Sequence, residues 1–321
     1  MLRHSLLRYR ALAYFALLLA VFIWGVNFNV VKFAMVSWRG RPFTFLAARF
    51  WLATVIYGVV LTVRHKSLPK AFSLSKSAAF QAAVVGLVLA AGYGLQTWYL
   101  AKGSAVSAAF LTSTTVLWAP LLAGLFGQKF YLSTLTGAFV ALIGILIMEV
   151  SHMDWGASRM DLIAVLAAVA FAVEILLVSR FAPKDKSIQW TTISCLSVAL
   201  IMTVLAFFRE TWDWSPELTS QRLFAIVFTG VFATAIALGL QNWAQAQEIN
   251  QKKIIDGPRA AIISTLEPVF TTLVFVFILR INLSAKLAGG CFLILAGTLI
   301  SELAAAKRSQ EEGRSIGVVE Q

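Results

Sequence analysis

Ten stretches of predominantly apolar residues run along the chain, at about 11–36, 43–63, 78–99, 106–125, 131–149, 160–181, 188–208, 221–244, 258–279 and 284–304. A helix rises about 1.5 Å per residue, so about 20 residues cross the roughly 30 Å hydrocarbon core of a bilayer. The stretches have that length, and they are about twice as long as the alternating strands of a membrane barrel. In lipid the backbone has no water to bond, and a helix satisfies its own donors and acceptors. The pattern predicts ten transmembrane helices, the first retained rather than cleaved as a leader. The gaps supply the breakers: Arg39-Gly40-Arg41-Pro42, a basic gap around Pro69, and Pro183-Lys184-Asp185-Lys186. Further wide gaps fall near 209–220 and 245–257, and the polar residues after Lys307 predict a disordered tail.

Charge fixes the orientation of these helices. Only 13% of the 321 residues are charged, about half the usual share of a soluble domain, too few to cover a water-facing surface. With the N-terminus in the cytoplasm, the inside segments carry 17 Lys and Arg against 8 on the outside. This positive-inside bias places both termini in the cytoplasm. Asp154, Asp161, Glu210, Asp213 and Glu217 then fall outside. The net charge of +12 would otherwise suggest a nucleic-acid partner, but its concentration in the gaps makes it an orientation signal. Cys195 and Cys291 both lie within apolar runs and read as free thiols.

The two halves of the chain repeat each other. Gly94-Leu95-Gln96-Thr97-Trp98 is echoed by Gly239-Leu240-Gln241-Asn242-Trp243, and Leu142-Ile143-Gly144-Ile145-Leu146 by Leu295-Ala296-Gly297-Thr298-Leu299. Ser107-Ala108-Ala109-Phe110-Leu111 aligns with Arg259-Ala260-Ala261-Ile262-Ile263, and the offset grows by about seven residues after Trp243. An odd number of crossings per repeat turns the second repeat over. The expected fold is therefore an all-α integral membrane protein, with ten transmembrane helices as two inverted five-helix repeats around a central cavity. The expected domains are a cytoplasmic tail at 1–10, repeats at 11–150 and 160–304, and a cytoplasmic tail at 305–321.

Several pieces, in order and in duplicate, resemble the EamA family of the drug/metabolite transporter superfamily. They are Trp24-Gly25-Val26-Asn27-Phe28, Ala48-Arg49-Phe50, Gln96, Ser107-Ala108-Ala109-Phe110-Leu111, Gln241-Asn242-Trp243-Ala244-Gln245 and Ser264-Thr265-Leu266-Glu267-Pro268-Val269-Phe270. The resemblance runs over about 11–304. It implies ten helices around a cavity that carries small organic solutes, often amino acids or related metabolites, across a bacterial inner membrane. Two departures stand out. The family's Gly-Glu-Arg or Gly-Glu-Lys turn is Gly127-Gln128-Lys129 here, and Leu279-Arg280-Ile281-Asn282 does not match it at all. An ion pair at those turns is therefore not expected, and the long 245–257 segment is a candidate gate or binding element.

Charge within a span costs about 2.5–3.5 kcal/mol on insertion scales, which draws attention to Lys32, Arg49, Glu174, Glu267 and, nearer an interface, Glu149. Glu174, in the middle of its span, reads as a substrate-ammonium contact or proton carrier, or as a structural carboxyl paired with Lys32 or Arg49. Glu267 precedes Pro268, whose missing donor loosens the helix. It lines a cavity, marks a kink, or both; its repeat equivalent is the uncharged Thr115. Lys32 is close enough to a helix end to snorkel. Arg49 can grip a substrate carboxylate bidentately or tie its helix to an acidic neighbour. Trp24, Asn27, Tyr93, Gln96, Trp118, Gln241 and Asn242 are further candidates for a pocket, weighed against packing and interface anchoring. Trp212 and Trp214 read as interface anchors, and Gly86, Gly144, Gly230 and Gly297 as sites of close helix approach.

No nucleophile–base pair, phosphate-binding loop or metal-ligand spacing is present, and His4, His65 and His152 lie at ends or in gaps. No catalysis and no cofactor are expected. The expected function is secondary transport or export of small organic metabolites by alternating access. The alternatives are a flippase for lipids or lipid-linked substrates and a non-transporting scaffold or sensor. Expected partners are a small-molecule substrate and membrane lipid, with the chain acting as a monomer or homodimer.

Overall fold

The computed structural model describes residues 2–38, 40–66, 73–102, 105–129, 131–149, 159–210, 219–249, 251–277, 280 and 282–319. The first half contains α1 (Leu2–Ser37), α2 (Pro42–His65), α3 (Lys76–Lys102), α4 (Ala105–Ser113), α5 (Thr115–Leu122) and α6 (Leu132–Glu149). The second contains α7 (Arg159–Phe181), α8 (Ser187–Arg209), α9 (Ser220–Val227), a π-helical segment Phe228–Ile236, α10 (Ala237–Ala246), α11 (Gly257–Ser264), α12 (Glu267–Phe277) and α13 (Ala285–Val319). Between α10 and α11 stands a two-stranded hairpin, β1 (Glu248–Ile249) and β2 (Lys252–Lys253), pairing Glu248 with Lys253. The chain is otherwise helical among the described residues.

Among the described residues, seven helices are long and apolar enough to cross a membrane: α1, α2, α3, α7, α8, the continuous α9–π–α10 unit and α13. Large apolar side chains such as Phe15, Val63, Phe80, Phe208 and Phe292 stand exposed on the outer surface, where lipid covers them. The tail expected to be disordered after Lys307 instead continues α13 as helix to Val319, and α1 already begins at Leu2.

The expected runs at 106–125 and 258–279 are both broken, at equivalent points of the repeat. The break between α4 and α5 falls at Thr114; that between α11 and α12 falls at Thr265 and Leu266. Threonine hydroxyls explain how the backbone tolerates this in an apolar setting. Thr114 Oγ1 donates to the Leu111 carbonyl at 2.6 Å, Thr115 Oγ1 to Thr112 at 2.7 Å, and Thr265 Oγ1 to Ile262 at 2.6 Å. The Leu111 and Ile262 carbonyls also accept backbone N–H groups three residues on, from Thr114 at 3.3 Å and Thr265 at 3.0 Å, so they keep partners at each break. Proline alone did not set the breaks: Pro268 follows the second at once, whereas Pro120 lies well inside α5.

Packing pairs the two halves reciprocally. α2 packs on its repeat equivalent α8, and α6 on its equivalent α13. α3 packs on α7 as α10 packs on α1, and α5 on α7 as α12 on α1. The α6–α13 seam is built on glycine. A Cβ on Gly144 would lie 2.6 Å from the Gly290 carbonyl, and one on Gly297 would lie 2.4 Å from the Gly137 carbonyl. These pairs run in opposite order along the chain, so α6 and α13 are antiparallel with their backbones in contact. Gly86 and Gly230 likewise meet Ser194 and Leu52 without room for a Cβ. A Cβ on Gly290 would fall 2.2 Å from Met148 Cγ and 2.6 Å from the Gly144 carbonyl. Gly290→Leu is accordingly expected to cost about 3 kcal/mol or more, because rigid backbone must separate. Melting of the detergent-purified variant checks this, and an unchanged melting temperature would refute the seam.

Candidate functional site

A cavity of about 350 Å³ lies between the halves. α1 contributes Trp24 and Asn27, α3 contributes Tyr93 and Gln96, and α7 contributes Phe171 and Glu174. Gln241 comes from α10, and Thr112, Thr115, Ser264, Thr265 and Glu267 come from the two broken helices. Each break turns short hydroxyl side chains into the cavity wall while their carbonyls stay bonded. The wall also reaches Met148, at the end of α6, and Leu287, near the start of α13.

Both acids are poorly satisfied. Glu174 is 2% exposed, and the nearest donor, Gln241 Nε2, stands 3.4 and 3.5 Å from its two oxygens, long for hydrogen bonds. No hydrogen bond from the described residues reaches the Glu267 carboxyl. Its backbone is pinned instead: a Cβ on Gly25 would lie 2.8 Å from the Glu267 carbonyl, and Thr271 Oγ1 donates to both Gly25 O and Glu267 O. Asn27 Oδ1 is buried and accepts no hydrogen bond.

Beside the cavity, the π-helical segment presents carbonyls to other helices. Trp24 Nε1 donates to Ala233 O at 2.9 Å, Tyr57 Oη to Ala235 O at 2.6 Å, and Thr234 Oγ1 to Thr229 O at 2.9 Å. π-helical backbone is rare and recurs at functional sites. Nothing in the hydropathy of 221–244 announces it.

Three sequence candidates lie away from the cavity wall. Arg49 is 1% exposed one layer behind it: Nε donates to Thr234 Oγ1 at 2.6 Å, and the guanidinium covers the Tyr93 ring at 4.8 Å. It ties α2 to the π segment through a hydroxyl, and no carboxylate among the described residues pairs with it. Asn242 Nδ2 donates to Thr191 Oγ1 at 3.0 Å, joining α10 to α8. Trp118 packs in an apolar cluster with Leu17, Ala119 and Ile145. Lys32 does not snorkel freely; its Nζ lies 3.0 Å from the Leu100 carbonyl, near the negative end of α3. The Glu149 side chain, Trp212 and Trp214 lie outside the described residues, as do Arg39 and Pro69.

The end of the bundle that carries the hairpin is closed by polar contacts. Arg259 forms a bidentate pair with Glu302, Nε to Oε1 at 3.1 Å and Nη2 to Oε2 at 2.7 Å. Tyr14 Oη donates to Glu302 Oε2 at 2.9 Å and also contacts Arg259. Tyr9 bonds Gln247, whose amide donates to Trp243 O at 2.6 Å. Asp256 caps α11, accepting from the Arg259 amide at 3.0 Å. Burial pushes the Asp256 carboxyl above its ordinary value, opposed by that hydrogen bond and by the Arg259 charge. Burial lowers the Lys253 ammonium, with Glu248 opposing it from 3.9 Å. At the turn that lacks the expected acid, Gln128 accepts from Gly257 N at 3.0 Å and donates to Leu176 O at 3.0 Å. An amide does both; an ionised carboxylate could only accept.

The serine and threonine lining was missed by sequence reasoning, although the repeated small-hydroxyl runs at 112–115 and 264–265 carried the signal. A 28% identical relative, named an uncharacterized transporter, from Archaeoglobus fulgidus aligns over 296 residues, 92% of this chain and 87% of that protein. A solved crystal structure superposes with a TM-score of 0.73 at 18% identity, covering 92% of this chain and 98% of the other, which supports the fold alone. The EamA-like transporter family model matches residues 11–150 and 158–303, one match per repeat. With a duplicated helical bundle, lipid-facing apolar surface and a polar cavity between the halves, this chain is a membrane transporter and belongs to the EamA-like transporter family.

Proposed function

We propose that the protein is a secondary transporter of small organic metabolites, amino acids or related compounds in the broadest reading, working by alternating access across the bacterial inner membrane. Ten crossings arise as two inverted five-helix repeats, with both termini cytoplasmic. The antiparallel α6–α13 seam and the reciprocal packing of α3 on α7 and α10 on α1 support inversion. The observation that carries the reading is the cavity with Glu174 and Glu267 in its wall, closed toward the hairpin by Arg259, Glu302 and Tyr14. It reaches Leu287, fifteen residues before Glu302 on α13, or about 22 Å along the helix axis. One end is therefore lined and the other latched, as alternation about a central site requires. A flippase for lipid-linked anions would want basic groups in its path, and the described lining residues include none.

Solute counterflow into liposomes reconstituted with the purified protein tests this. Preloaded unlabelled solute is expected to drive transient accumulation of the labelled form, abolished in empty liposomes. No accumulation across amines, amino acids, nucleosides and sugars would leave a scaffold or sensor as the better reading. Reporters fused to the two termini should give the same compartment; opposite compartments would remove the inverted architecture.

A further inference from the structure

The cavity wall is electrically one-sided. Among the described lining residues Glu174 and Glu267 are acidic, and none is Lys, Arg or His. Arg49 does not line the cavity; its guanidinium lies on the ring of Tyr93, which does. Tyr93 stands within electrostatic reach of Arg49, Glu174 and Glu267. Even with Arg49 counted, two carboxylates face one guanidinium. Lys32 is bonded to the Leu100 carbonyl and does not line the cavity.

A substrate carboxylate would enter this space beside two acids and find no cationic fork to receive it. An ammonium brings three donors and no acceptor. It would meet the Glu267 carboxyl, unreached by any described donor, and Glu174, held only at long range by Gln241. Trp24, Tyr93 and Phe171 add aromatic faces to the same wall, which attract cations and cover an apolar body. The volume, about 350 Å³, is that of a small-ligand pocket.

We infer that the cavity selects small organic cations, amines or guanidines without a carboxylate, over amino acids and organic anions. The inference rests on the transport reading and narrows it. The carboxyls of Glu174 and Glu267 take the cationic head, the aromatic wall takes the body, and Arg49 stays in the second layer holding Tyr93.

Charge-matched probes on one skeleton test it: tyramine, the neutral alcohol tyrosol, the zwitterion tyrosine and the anion 4-hydroxyphenylacetate, with putrescine as an aliphatic cation. Binding to the purified full chain and counterflow in liposomes are both measured. Tyramine or putrescine is expected to bind and exchange, with tyrosine and 4-hydroxyphenylacetate at least about tenfold weaker. Glu267→Gln is expected to weaken the amine by about tenfold or more, and neutral tyrosol by much less. Tyrosine or the anion binding as well as tyramine would overturn the cation assignment while leaving transport standing. So would amine binding undiminished in a Glu267→Gln protein that melts like wild type. Should that variant fail to fold, the wild-type probe series decides by itself. Inertness toward every probe, with flux of other solutes, overturns the cation assignment; inertness toward all solutes overturns the transport reading as well.

Discussion

Glu174→Gln is expected to reduce counterflow by about a hundredfold, the factor that about 2.7 kcal/mol produces, while the protein still folds. Glu174 lies 2% exposed on α7, in the cavity wall, with only Gln241 near its oxygens among the described donors. Glutamine keeps the shape and removes the charge. A purely structural carboxyl would show its loss in melting. A buried charge without a close partner is a burden on the fold, so its removal should leave stability unchanged or raised. Flux lost with stability kept is the signature of a working group. Glu174→Asp, which keeps the charge but withdraws it by one methylene, should fall between. Wild-type flux in Glu174→Gln at equal reconstitution would remove this carboxyl from the mechanism.

Loss of the latch is expected to have the next largest effect. Arg259 and Glu302 form two hydrogen bonds across α11 and α13, and Tyr14 adds a third on Glu302. The side chains are 17% and 22% exposed, so water screens the pair only in part. Arg259→Met leaves Glu302 without its cation at a helix junction, and about 2–4 kcal/mol of stability should go with it. Tyr14→Phe removes one hydrogen bond and should cost about 1 kcal/mol. The paired change Arg259→Met with Glu302→Leu leaves no charge stranded. It should recover most of the melting temperature without recovering transport, because an apolar latch does not open to water as an ionic one does. Single variants that melt within a degree of wild type would show that the hairpin end is held shut elsewhere.

Much of the site was legible because a membrane span punishes polar residues. Trp24, Asn27, Tyr93, Gln96, Glu174, Gln241 and Glu267, noticed for polarity or place in the repeat, all reach one cavity. Arg49, Asn242 and Trp118, picked out by the same reasoning, lie outside the cavity wall. Cost of burial says that Arg49 must find partners; it does not say whether they are a substrate, an acid or, as found, Thr234 and the Tyr93 ring. Gln128 is a parallel case. The turn carries an amide where an acid was the expectation, and only the approach of Gly257 N and Leu176 O reveals what that amide does.

Sequence by itself determined residence in the membrane, helical spans, the duplication and the presence of acids within apolar runs. Those follow from local quantities: run length, hydropathy and recurrence of short motifs. Tertiary structure alone decided the breaks at Thr114 and Thr265, the π turn, the latch through Arg259, and which polar faces look into the cavity. Each depends on how far one helix is rotated and slid against another. That register is set by contacts between distant residues, such as Gly144 on Gly290 and Gly25 on Glu267, which no periodicity within a single helix encodes.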